Sequence, residues 1–400
     1  MITLIVALAV VLLLAAAVYA VLALDPVFGG QAYRDRGHRL HRSPQFKDGK
    51  FRYPLPTAMV TSAADYLSML RDFAKRRPNA RPAPGRLPVV KLDTSSIGRP
   101  GPLRVTWFGH SAALLELGGR TLLLDPMLGR APSPFPRFGG KRYADTMPFE
   151  IEALPPIDAV VFSHDHYDHL DYGTIRRLHA KVGRFFVPLG VGAHLRRWGV
   201  DERRIEEHDW HETFEWEGLR LSCLPARHFS GRGLTGRDAT LWCSWAIEGG
   251  GQKVFFSGDS GYGPHFAEIG ERFGPFDLAL MECGQYDPRW AAIHMSPEET
   301  VQAHVDVKGG TLLPIHWGAF TLAMHDWNDP VRRAAAEAVR RGVRMIAPRI
   351  GGDRRDRRRE RRCERRRGRG MVEVTASYAQ VCLCRADSAQ SHLGRLVLFY

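Results

Sequence analysis

Between Ser163 and Asp171 the chain reads Ser-His-Asp-His-Tyr-Asp-His-Leu-Asp, which sets His164, His166, Asp168 and His169 in the spacing HxHxDH. Neutral imidazole nitrogen and carboxylate oxygen are the donors that borderline Zn2+ prefers. One histidine in such a place is ordinarily a packed core or surface residue, but four donors within six positions point to metal chemistry. The i, i+2 spacing lets His164 and His166 hold one ion while Asp168 and His169 turn toward a second. Ile157-Asp-Ala-Val-Val-Phe162 reads as an apolar strand before the motif, and Asp171 is placed to cap a helix after it. The donors therefore sit on a strand-to-helix loop, where side chains converge on one point.

One such motif cannot fill two metal sites. Three later residues share its context, each directly after a β-like run: His228 after Leu219–Leu224, Asp259 after Lys253–Ser257 and a glycine, and His316 after Thr311–Ile315. Singly, His228 reads as a loop residue, Asp259 as a turn former and His316 as a buried histidine beside Trp317. Loops leaving strands at one sheet edge would bring them all to the HxHxDH segment.

The elements that must hold these loops follow from texture. Short apolar runs at 105–108, 113–117 and 121–124 predict consecutive strands, with Gly118-Gly119 as a turn. Helices are predicted at about 62–76, 171–181, 297–305 and 330–341, the first with Ala64, Tyr66, Leu67, Leu70 and Phe73 at mostly helical spacing. Strands alternating with helices argue an α/β class, sheets covered by helices. A content of 44% hydrophobic and 25% charged residues excludes a disordered or fibrous chain. Six cysteines are too few for a disulfide scaffold of this length, and without a CxxC pair they build no zinc site.

The two ends are of other kinds. Ile2 to Leu24 carries no charge and as a helix would span roughly 35 Å, enough for the ~30 Å hydrocarbon core. A secretory signal competes, with Val18-Tyr19-Ala20 as a cleavage site, but no positive residue precedes the run and it exceeds an ordinary signal core. Arg34, Arg36, Arg39, Arg42, Lys47 and Lys50 follow it, which predicts a single-pass anchor in the cell membrane with the rest of the chain in the cytoplasm. The net charge of +13 invites a nucleic-acid partner, yet eleven Arg against four acids between Gly351 and Gly370 supply +7 of it. That tail reads as solvated and disordered, so no nucleic acid is expected.

Further stretches carry a resemblance: Trp107-Phe-Gly-His-Ser111, Leu241-Trp-Cys-Ser-Trp245, Gly258-Asp-Ser-Gly-Tyr262, Tyr286-Asp-Pro-Arg-Trp290, Pro297-Glu-Glu299 and Ile315-His-Trp-Gly318. With HxHxDH they resemble the metallo-β-lactamase superfamily and, more narrowly, the N-acyl-phosphatidylethanolamine-hydrolysing phospholipase D family, from about Phe51 to Ile350. Some of them are shared with sugar-lactone hydrolases of the same branch.

The resemblance implies a four-layer αββα sandwich. Together with the apolar run and the Arg-rich stretch it divides the chain into 1–24 as a single N-terminal transmembrane helix and anchor, 25–101 as juxtamembrane linker and N-terminal segment, 102–350 as catalytic domain and 351–400 as tail. It implies two Zn2+ ions: His164, His166 and His228 on one, Asp168, His169 and His316 on the other, Asp259 bridging. Such a centre supplies hydroxide to a phosphodiester and neutralises charge on its oxygens. His294 matches a family histidine near the metals that contacts the phosphate or assists the leaving group; the leaving alkoxide takes its proton from water at the zinc, Asp259 or His294. The implied partners are a phospholipid substrate and the bilayer, with a homodimer allowed. The alternatives are a lactone or nucleic-acid phosphodiester on the same site, or a non-catalytic membrane protein that keeps the fold. Trp107, Trp210, Trp216, Trp242, Trp245 and Trp290 line an acyl groove or fill the core, and core is the expectation for most.

Overall fold

Alternation along the strands builds the molecule. In the strands Ala113–Leu117 and Arg120–Leu124, Leu115, Leu117, Leu122 and Leu124 fall in one buried cluster while Leu114 and Leu123 fall in another. Side chains of a strand point to opposite faces, so a strand apolar at every position is covered on both. The coordinates are a computed structural model that describes residues 2–32, 39–57, 59, 62–75, 77–137, 140–233, 236–352 and 375–376. Apart from Gly351, Gly352 and a two-residue strand at Thr375–Ala376, the Arg-rich tail lies outside the described residues.

The chain begins with α1 (Ile2–Leu24), the short hairpin β1 (Phe46–Lys47) and β2 (Lys50–Phe51), and α2 (Ala63–Ala74). The first half of the body is β3 (Arg104–Trp107), β4 (Ala113–Leu117), β5 (Arg120–Leu124), β6 (Ile157–Val161), α3 (Tyr172–Leu178), β7 (Val182–Pro188), α4 (Gly192–Arg197) and β8 (Ile205–His208). The second is β9 (Thr213–Trp216), β10 (Leu219–Leu224), β11 (Ser244–Gly249), β12 (Gln252–Phe256), α5 (His265–Arg272), β13 (Leu278–Glu282), α6 (Pro297–Asp306), β14 (Leu312–Ile315) and α7 (Asp329–Arg341).

Each half forms a six-stranded sheet, in the orders β3-β4-β5-β6-β7-β8 and β14-β13-β12-β11-β10-β9. Both begin antiparallel and turn parallel, at β5–β6 in the first and β12–β13 in the second. Trp107, Phe186, Trp245 and Phe256 belong to the larger core, to which α5, α6 and α7 add Phe266, Val301 and Val331. Ile175, Leu178 and Leu195 of α3 and α4 cover the outer face of the first sheet. The result is the αββα sandwich that the resemblance implies. Its helices start as expected: Asp171 accepts a hydrogen bond from Thr174 N, and Ser296 forms a capping box with Glu299.

The described residues between 25 and 101 pack onto this body, giving Ala32, Leu40, Phe46, Phe51 and Leu87 to its core. The helix predicted at 62–76 is α2, but its apolar stripe is not a core face, and none of its residues is buried. Arg289 Nη1 donates to Ser68 Oγ and Asp72 Oδ2 at 3.2 and 3.1 Å, holding α2 by its polar edge. Leu67 and Leu70 stay 69% and 62% exposed.

Helix α1 is long and apolar enough to cross a membrane, with a mean hydropathy of 3.0 over Thr3–Leu24 and none of that window buried. It is therefore not a core helix. Its end is fastened to the body. Arg197 donates to the carbonyls of Ala23 and Leu24, Trp198 Nε1 to Pro26 O at 2.6 Å, and Arg232 to Val27 O at 3.0 Å. The Arg232 guanidinium, stacked 4.0 Å over the Tyr167 ring, also donates to Asp165 O and Leu170 O within the HxHxDH loop.

Candidate metal centre

Every donor singled out in the sequence leaves its strand at the same edge of the sandwich. His164, His166, Asp168 and His169 follow β6, His228 follows β10, Asp259 follows β12, and His316 follows β14. The structure brings all seven together, and His294, between β13 and α6, stands against them with its ring 5.1 Å from those of His228 and His316. One donor set is His164, His166 and His228, whose ligand atoms lie within 4.8 Å of one another. A second, equally close, joins Asp168, His169 and His316 to a residue not foreseen as a donor, His110. Asp259 stands between them: its Oδ2 is 3.0 Å from His169 Nε2 and His316 Nε2, and 3.9 Å from His164 Nε2 and His228 Nε2.

The imidazoles are oriented from behind. The Nδ1 of His164 meets Ser163 Oγ at 2.9 Å, that of His169 meets Asp125 Oδ2 at 2.6 Å, and that of His228 meets Ile293 O at 3.0 Å. Each thereby turns Nε2 inward, the arrangement that fixes tautomer and direction in metal-binding histidines. Burial and neighbouring histidines push His164 and His228 well below the usual imidazole range, so both are neutral, with lone pairs available. Burial pushes the Asp259 carboxyl up, but His169 and His316 outweigh it and hold it well below the carboxylate range. Its Oδ1 is buried with no hydrogen-bond partner among the described residues. Two nitrogens facing each other at 2.9 Å, His164 Nε2 and His166 Nδ1, and an orphaned carboxylate oxygen are explained by cations that take their lone pairs. The donor set fits divalent metal.

Three contributors were not singled out in the sequence. Asp125, directly after β5, also accepts from Ser163 N at 2.7 Å. Glu282, the last residue of β13 and fully buried, accepts His294 Nδ1 at 2.5 Å and Ser260 N at 2.7 Å. His110 lies in the β3–β4 turn. The first two share the strand-end context that marked His228, Asp259 and His316.

His166, Asp168, Asp259, His294 and His316 floor a cleft of about 200 Å3 whose apolar wall is Met59, Tyr66, Met69, Phe229, Trp290, Ile293 and Leu322. Of the six tryptophans considered above, Trp107, Trp210, Trp242 and Trp245 are core, Trp216 packs against the core half-buried, and Trp290 lines the cleft.

Residues 120–317 match the model of the beta-lactamase superfamily domain. The chain is 34% identical over 254 residues to N-acyl-phosphatidylethanolamine-hydrolyzing phospholipase D 1 of Caenorhabditis elegans, covering 60% of this chain and 71% of that protein. The chain belongs to the metallo-β-lactamase superfamily. Within that superfamily it resembles the N-acyl-phosphatidylethanolamine-hydrolysing phospholipases D, and it is a metal-dependent hydrolase. It is also 44% identical over 315 residues to an uncharacterised protein of Mycobacterium tuberculosis, covering 77% of this chain and 83% of the relative. Among solved structures, an isothiocyanate hydrolase from Delia radicum gut bacteria shares the superfamily fold, with a TM-score of 0.50 at 17% identity over 62% of this chain and 97% of that one.

Proposed function

We propose that the chain hydrolyses the phosphodiester bond of a membrane phospholipid, converting N-acyl-phosphatidylethanolamine to N-acylethanolamine and phosphatidic acid. In this reading His164, His166 and His228 hold one Zn2+, Asp168, His169 and His316 hold a second, and Asp259 is shared. The observation that carries it is the position of Asp259 Oδ2 between two histidine sets, at 3.0 and 3.9 Å, beneath an apolar cleft. Similarity to the N-acyl-phosphatidylethanolamine-hydrolyzing phospholipase D 1 of Caenorhabditis elegans supports the choice of lipid.

Two divalent cations held by these residues would supply hydroxide near neutral pH and offset negative charge gathering on a phosphate. The protein's own groups do the rest. Glu282 Oε1 holds His294 by Nδ1, which leaves Nε2 to donate a proton to the departing N-acylethanolamine oxygen. Met59, Tyr66, Met69 and Trp290 exclude water and pack against acyl chain. Arg289, through Ser68 and Asp72, keeps α2 at the rim. The exposed Leu67 and Leu70 suit contact with lipid. In this account α1 is a single-pass anchor, and the basic residues after it put the catalytic body on the cytoplasmic side.

Zinc-loaded protein in detergent micelles of N-acyl-phosphatidylethanolamine is expected to release N-acylethanolamine and phosphatidic acid in equal amounts by mass spectrometry. A chelator should abolish the release and zinc restore it. Intact lipid beside turnover of a lactone would move the substrate to the lactones.

A further inference from the structure

His110 has no part in that reading, yet it reaches the same carboxylate oxygen as two of the proposed ligands. Its Nε2 lies 2.9 Å from Asp168 Oδ2, closer than His316 Nε2 at 3.3 Å or His169 Nε2 at 3.7 Å. The residue is fully buried and sits in the left-handed backbone region at φ 56°, a conformation that few non-glycine residues adopt. Three bonds pin its backbone there. His110 N donates to Trp317 O at 2.8 Å, while His110 O accepts from His316 N at 3.1 Å and from Trp107 Nε1 at 2.7 Å. The turn of the first sheet is thus locked to the loop after β14 of the second. The ring is wedged against His316, centroids 4.3 Å apart, and edge-on to Phe320 at 5.3 Å.

Its protonation follows from what surrounds it. The Nδ1 atom is buried and meets no hydrogen-bond partner among the described residues. An imidazolium would leave an N–H stranded there, whereas a neutral ring protonated on Nε2 leaves only a lone pair. The neutral Nε2–H form is therefore the one that fits, and it donates to Asp168 Oδ2. A carboxylate so held cannot rotate freely, which is how groups behind a ligand set its direction and strength.

We propose that His110 is a positioning residue, which holds Asp168 through Nε2–H and so sets the affinity of the second cation. The inference rests on the dinuclear reading above. It is tested on the full-length protein in detergent, stripped of metal and titrated with Co2+, whose visible absorption reports each ion as it binds. The wild type is expected to take two ions. In His110→Ala the second should bind ~10–100-fold more weakly with the first unchanged. In His110→Gln, whose amide N–H can reach Asp168, the second should return to within a few-fold of wild type. If His110→Ala does not fold, His110→Leu takes its place, keeping the apolar bulk without the donor.

An unchanged second ion without the donor, a Gln variant as weak as Ala, or equal weakening of both ions would each overturn the assignment, the last by showing that His110 only packs. A wild type that takes a single ion would bring down the dinuclear reading itself. The two failures are therefore distinct.

Discussion

Asp168→Asn is expected to lower turnover on the order of a thousandfold or more while the protein keeps its fold. Asp168 lines the cleft, and its Oδ2 is approached by His110 and His316. Burial pushes its carboxyl up, but His169, His110 and His316 outweigh this and hold it well below the usual carboxylate range. The side chain is therefore an anion surrounded by imidazoles, as a ligand to a second cation must be. Asparagine has the same size and can still accept from His110 through Oδ1, so packing is preserved while the charge is lost. Thermal unfolding within a few degrees of wild type, with kcat nearly gone, is the expected pair of results. Full activity in this variant would remove the two-metal mechanism.

Asp125→Asn should act from behind the site. Asp125 is fully buried, accepts Ser163 N at 2.7 Å and His169 Nδ1 at 2.6 Å, and is held at φ 37°. An amide offers one acceptor where the carboxylate offers two, and its NH2 would confront either Ser163 N–H or the His169 ring. His169 then loses the partner that aims its Nε2 inward. The expected cost is ~10–100-fold in metal affinity, with roughly 2–3 kcal/mol of stability lost to the buried unpaired donor. Metal titration against a chromophoric chelator, together with thermal unfolding, measures both. Affinity within threefold of wild type would mean that His169 needs no such support.

Much of this arrangement was legible because it is contiguous. Four donors within Ser163–Asp171 need no tertiary knowledge, and the strand before them and the cap after them are both where the pattern puts them. His228, Asp259 and His316 were found by their place after apolar runs, a signal that works because strands of one sheet edge end together. The same signal fits Asp125 after Thr121–Leu124 and Glu282 at the end of Leu278–Glu282. It did not separate them, since carboxylates at strand ends are also ordinary turn formers. His110 lay within a stretch noted only for resemblance, and its role depends on backbone bonds to Trp317 that no local pattern encodes.

The cleft wall was harder still. Tyr66 and Leu67 are neighbours on one helix, yet the first lines the cleft and the second points out, because a single arginine more than two hundred residues later decides which edge of α2 is held. Helical spacing marks an apolar stripe but not what the stripe faces.

The most direct measurement is hydrolysis of N-acyl-phosphatidylethanolamine by the zinc-loaded protein in 18O-labelled water, with both products weighed by mass spectrometry. Attack at phosphorus predicts one 18O in the phosphate of phosphatidic acid and none in N-acylethanolamine. Label in the N-acylethanolamine, or no conversion by folded protein carrying two zinc ions, would contradict the account.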